Sequence, residues 1–135
     1  MELVDGYIHY VFNTGDKTSV MRANTVTRMN NNQWHEVTIT RDNRDRQVLK
    51  VDDATTKTQP ASGPRHIDLT ENMRVGGIEP DLYDSLQELV ESRYGYLGCI
   101  AALDMNGVVP DLIDDALNSP SNFVRGCEGM SCTIS

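Results

Sequence analysis

The run Asn32-Gln33-Trp34-His35-Glu36-Val37-Thr38-Ile39-Thr40-Arg41 decides the fold class. Val37 and Ile39 alternate with Glu36, Thr38 and Thr40, a period of two that gives a strand one apolar and one polar face. Toward the N-terminus the same alternation recurs, with Ile8, Tyr10 and Phe12 set against Tyr7, His9 and Val11. Toward the C-terminus further short runs follow at 48–51, 55–59, 66–69, 73–75 and 96–105. Turn-forming clusters such as Asn13-Thr14-Gly15-Asp16 and Ala61-Ser62-Gly63-Pro64 separate the runs. Many short strands spaced by turns predict an all-β, antiparallel sandwich or barrel. A strand pattern this close to Met1 predicts an open sheet edge and a chain that starts inside a domain.

One segment departs from the period of two. Leu82, Leu86, Leu89 and Val90 recur at i, i+4, i+7 and i+8, Pro80 suits a first helical turn, and Asp81 and Asp84 favour the positive end of a helix dipole. The spacing predicts one short amphipathic helix over 80–93, packed through Leu82, Leu86 and Leu89. At 111–117, after Pro110, two readings stand: a second helix, or a loop capped by Asp111, Asp114 and Asp115. Asn106-Gly107 is a turn signal between 101–105 and Val108-Val109. The tail after Gly126, with few apolar residues, reads as a linker.

Composition narrows the function classes. Twelve Lys and Arg against twenty Asp and Glu leave a net charge of −8 over 135 residues, which suits one domain and disfavours nucleic acid and anionic membranes as partners. The longest uncharged stretches, such as 94–103, fall far short of the roughly 20 apolar residues of a membrane helix. Neither a secretory signal nor a transmembrane segment is expected within these 135 residues. The three cysteines, Cys99, Cys127 and Cys132, match neither a zinc nor a Cys-x-x-Cys redox spacing. They fit three thiols of a cytosolic protein, or one disulfide plus a leftover Cys132.

Candidate chemistry is sparse. Asp42-Asn43-Arg44-Asp45 and Asp52-Asp53 are acidic clusters, but an EF-hand starting at Asp42 would need Gly where Gln47 stands and Glu where Asp53 stands. They read as solvated turn residues. His9, His35 and His66 have no metal-ligand spacing. There is no Gly-x-Ser-x-Gly elbow, no phosphate-binding glycine loop and no Asn-x-Ser/Thr acceptor. Trp34, the sole tryptophan, reads as a core or sheet-packing residue. An enzyme on a concanavalin-like sandwich, such as a glycoside hydrolase, would need two carboxylates facing one cleft, and no such pair stands out.

The run 32–41 resembles the Trp-His strand of laminin G domains, also called LNS domains. The similarity continues in order through Leu49-Lys50-Val51-Asp52, Met73-Arg74-Val75-Gly76-Gly77-Ile78 and Tyr94-Gly95-Tyr96-Leu97-Gly98-Cys99-Ile100. Gly6-Tyr7-Ile8-His9-Tyr10-Val11-Phe12, Met105-Asn106-Gly107-Val108-Val109-Pro110-Asp111-Leu112-Ile113 and Arg125-Gly126-Cys127-Glu128-Gly129 resemble the neurexin family, in the LNS domain that precedes its last EGF-like module. The resemblance implies a jelly-roll (concanavalin-like) sandwich over 1–127, incomplete at its N-terminus, with 128–135 as linker and start of a truncated EGF-like module.

It also implies a disulfide between Cys99 and Cys127, which in the chain-entropy model contributes on the order of 4 kcal/mol. Cys132 would be the first cysteine of the EGF-like module, left unpaired. Some LNS domains hold Ca2+ at the sandwich rim, and the matching positions are Thr14 and the run Leu69, Thr70 and Glu71. The family's main aspartate has no counterpart, so the rim is expected to be vestigial, with no cofactor in this chain and Ca2+ only in a complete domain. The function implied is a non-enzymatic protein-binding module of a neurexin-like adhesion receptor, outside the plasma membrane, as part of a longer chain. Its partners would be extracellular or cell-surface proteins, with no nucleic acid and no membrane insertion by this chain. The alternative is a matrix laminin G domain of the laminin, agrin or perlecan kind that binds glycans or receptors.

Overall fold

The computed structural model describes residues 1–13, 17–58, 72–86, 88–118 and 123–127. Its chain forms two compact units, 1–96 and 97–135.

All six strands of the described residues lie in the first unit. They are β1 (Glu2–Val4), β2 (Tyr7–Asn13), β3 (Thr18–Arg22), β4 (Val37–Arg41), β5 (Gln47–Val51) and β6 (Ala54–Lys57). They make two antiparallel three-stranded sheets, in the orders β1-β2-β3 and β4-β5-β6. The predicted strands at 36–40 and 48–51 are present, the run 55–59 forms a strand over Ala54–Lys57 with Gln59 outside the described residues, and β2 holds the alternating run that starts at Tyr7.

Strands β1 and β3 were not evident from alternation, because three residues give β1 too few periods and the adjacent apolar pair Val20-Met21 masks the two faces of β3. The β1–β2 turn has a sequence signal nonetheless. Asp5 and Gly6, both at positive φ (50° and 83°), link Val4 to its partner Tyr7. Asp-Gly is a favoured pair for such a two-residue turn. A side chain at Gly6 would also place its Cβ 2.8 Å from that of Arg28. The close approach arises because Met29 N donates to Gly6 O at 2.6 Å.

The register sets the core. Tyr10 stands opposite Met21, Leu3 opposite Ile8 and Val37 opposite Val51. One face of each sheet therefore contributes to a cluster of Met21, Ala23, Met29, Leu49 and Val51, with Leu3, Ile8, Tyr10, Phe12 and Val37 packed against it. Leu49 and Val51, on the central strand β5, are fully buried. The Tyr10 and Phe12 rings stack at 5.0 Å. The sheets are stitched at their β3 and β6 sides, where Asn24 N donates to Thr56 Oγ1 (3.1 Å) and Thr56 Oγ1 to Arg22 O (3.4 Å).

Several local expectations are corrected. The 80–93 helix is a six-residue 3-10 helix, Pro80–Ser85, with no buried residue. Its bonds run from Leu82 N to Glu79 O and from Leu86 N to Tyr83 O, and Leu86 turns extended at ψ 155°. Ser85 Oγ donates back to Leu82 O at 2.7 Å, Glu79 supplies no side-chain cap, and without a buried face nothing extends the helix. Leu89, expected to pack, is exposed.

The runs 73–75 and 96–105 are not strands. Ala102 sits at φ 53°, outside the strand region, which breaks the second run. What remains is one bridge, Met105 to Val108, around Asn106-Gly107 at φ 57° and 86°, the predicted turn. At 111–117 the capped loop is correct: Asp111 Oδ1 accepts from Ile113 N and Asp114 N, both at 2.9 Å. The run at 66–69 and the turn at 61–64 lie outside the described residues.

Candidate functional site

The acidic clusters are spent on turns. Asp42 Oδ1 accepts from Arg44 N (2.9 Å) and Arg46 N (3.0 Å), and Oδ2 from Arg46 Nε at 2.8 Å. The Arg46 side chain, then the backbone donors, hold the Asp42 carboxyl down at about 2. This shapes the β4–β5 loop and leaves Asp42 committed to its own hairpin. Among the described residues no three His, Cys, Asp or Glu side chains gather into a metal-holding group. Thr14, Leu69, Glu71, His66 and Cys132 lie outside the described residues.

The second unit repeats this chemistry. Arg125 bridges Asp111 (Nη1 to Oδ2, 3.1 Å) and Asp114 (Nη2 to Oδ1, 3.0 Å). Asp111 is held at about 2, first by the backbone N–H of Asp114 and Ile113 and then by Arg125. Cys99 and Cys127 are half-buried in this unit.

The most developed polar constellation surrounds Trp34. His35 Nδ1 lies 2.8 Å from Asp52 Oδ2, and His35 Nε2 lies 2.8 Å from Asn31 Oδ1. Asp52 Oδ1 accepts from Glu36 N (3.0 Å), and Asn31 Oδ1 also accepts from Gln33 N (3.1 Å). The imidazole is the main cause that lowers the Asp52 carboxyl below its ordinary range. Trp34, expected to pack on the sheet, is instead 65% exposed. It lies outside the β4 ladder, and the polar pins on either side of it order its segment without burying the indole.

A second contact ties 91–92 to β1. Glu2 carboxylate oxygens accept from Glu91 N (3.1 Å) and Ser92 N (2.7 Å). On the same sheet face the register sets Glu2, His9 and Arg22 in one row, with His9 buried and Arg22 over the Tyr7 ring at 4.2 Å. Leu3, Val4, Asp5, Glu91, Arg93 and Tyr94 line a shallow depression beside it, about 360 Å³ in volume.

The laminin G domain family profile matches residues 1–108. The chain belongs to the laminin G domain family. Its two antiparallel sheets are those of a laminin G jelly-roll sandwich. This laminin G domain is 46% identical to zebrafish neurexin-3a over 128 residues, 95% of the chain. It is 44% identical to mouse and human neurexin-2 over 133 residues, 98% of the chain. The chain spans about 8% of the length of these relatives.

Neither the His35–Asp52 pair nor the Glu2 clamp was read from the sequence of this laminin G domain. The first had a signal. Once Val37 is paired with Val51, hairpin symmetry sets position 36 opposite 52 and brings His35 to the aspartate turn. The second had none, because its partners are far apart in sequence.

Proposed function

We propose that this laminin G domain is a non-enzymatic protein-binding module of an extracellular adhesion receptor of the neurexin kind. The observation that carries this reading is 44–46% identity to neurexins over 95–98% of the chain. Its partners are extracellular or cell-surface proteins, and its place is the outer side of the plasma membrane within a longer receptor. The net charge of −8 supports a protein partner over a sulfated glycan, which selects basic surfaces.

Three finer readings belong to the same proposal. The domain occupies 1–127, with 128–135 a linker opening an EGF-like module at Cys132. Cys99 and Cys127 pair under oxidising conditions, a reading supported by the family resemblance and by their place in one compact unit. Thr14, Leu69 and Glu71 mark a vestigial rim that binds no Ca2+ in this chain.

Beads coated with the oxidised 135-residue chain test the main reading by adhesion to cultured cells. Adhesion abolished by protease shaving of the cells and unchanged by heparinase is expected. Loss on heparinase treatment, or no adhesion to any cell line, would overturn it. A heparin titration at physiological salt adds a second arm, in which weak, non-saturating binding is expected.

A further inference from the structure

We infer that His35 is a proton-dependent latch, closed only by the doubly protonated imidazole, that fixes the Trp34-bearing segment 31–36 to the turn at Asp52. This goes beyond the adhesion reading and stands on geometry independent of it. Both ring nitrogens of His35 face oxygens at 2.8 Å. A carboxylate oxygen of Asp52 can only accept. The amide of Asn31 is oriented by Gln33, whose N–H donates to Asn31 Oδ1 at 3.1 Å and whose Oε1 accepts from Asn31 Nδ2 at 3.4 Å. Turning that amide over to offer its NH2 to His35 would set that NH2 against the fixed backbone N–H of Gln33.

Neutral imidazole carries one N–H and one lone pair, so it cannot satisfy two acceptors. Imidazolium can. The side chain of His35 is only 15% exposed, which restricts water from replacing a lost partner. On deprotonation the carboxylate retains the remaining N–H, because a charge-assisted bond is the stronger one. The contact to Asn31 is therefore the one released, and with it the segment that carries the exposed indole.

The titratable groups on the segments meeting here are Asp52 and Asp53 on the turn and Glu36 beside the ring. Glu36 is joined to Asp52 twice through its backbone, Glu36 N to Asp52 Oδ1 and Asp52 N to Glu36 O (2.9 Å). Those bonds keep the turn in place whatever the charge on His35, so the moving part is 31–34. The His35 contacts are complete only while both ring nitrogens carry a proton, and one is lost with the second proton. The Asp52 carboxyl, lowered by His35, contributes above the ordinary carboxylate range and is lost as pH falls through its lowered value.

The sole tryptophan makes the latch readable in the 135-residue chain. Trp34 emission and quenching by acrylamide are measured from pH 4.5 to 9, alongside ¹⁵N-histidine NMR of the ring nitrogens. The expected result is a single fluorescence transition that coincides with loss of one His35 ring proton, with quenching rising at high pH. It should vanish in His35→Gln and persist in His9→Gln and His66→Gln. Asn31→Asp, which sets a second carboxylate at Nε2, should move the midpoint up by about one pH unit, and Asp52→Asn should move it down. A flat fluorescence profile in the folded wild type, a transition that survives His35→Gln, or an Asn31→Asp midpoint that does not rise would each overturn the latch. Should His35→Gln fail to fold, the opposite shifts of the two partner variants decide.

Discussion

Residues 1–96 and 97–135 solve the same problem by different means. The first unit holds every strand of the described chain and a cluster centred on Leu49 and Val51, both fully buried. In the second no described residue is fully buried, and its order comes from Asp111, Arg125 and one bridged turn. The comparison separates stability drawn from area removed from water, which scales with the side chain, from order drawn from short polar loops.

The largest effect is expected at the centre of the first unit. Leu49→Ala should cost about 2–5 kcal/mol by urea unfolding, whereas Val109→Ala, at an exposed position of the second unit, should stay within about 0.5 kcal/mol. Equal losses would erase the contrast. Oxidation to the proposed Cys99–Cys127 bond should raise stability by about 2–4 kcal/mol over the reduced chain. That gain should appear in hydrogen exchange of the second unit, where no described residue is fully buried.

Next comes Gly6→Ala, expected to cost about 1–3 kcal/mol because of its positive φ and the approach of Arg28. Loss of exchange protection at β1 and β2, with β4–β6 spared, would show that the damage is local to its hairpin. The smallest effects concern two carboxyls held at about 2, Asp42 and Asp111. Their contributions are present above the ordinary carboxylate range and fade as pH falls through about 2. In an NMR titration Arg46→Gln should raise Asp42 more than Arg125→Gln raises Asp111. A side chain is the leading cause at Asp42, whereas backbone N–H groups lead at Asp111.

Legibility tracked the range of the interactions. Alternation over 7–12 and 36–40 announced β2 and β4, and Asn106-Gly107 announced its turn, because side-chain period and turn chemistry are local. The leucine spacing at 82–90 misled, since amphipathic spacing stabilises a helix only if something covers its apolar face, and Pro80–Ser85 buries nothing. At 96–105 a strand-like composition met a backbone that leaves the strand region at Ala102. Trp34 was misread for a related reason: its position beside β4 was visible, but the pins at Asn31 and Asp52 were not.

The sequence by itself determined the all-β class, the family through its ordered motifs, and the turns whose residues tolerate positive φ. These depend on period, residue type and order along the chain. Tertiary structure alone decided that Leu49 and Val51 form the centre, that Glu2 clamps 91–92, and that His35 stands between two acceptors. Each of those joins residues distant along the chain, and only strand register sets which distant side chains meet.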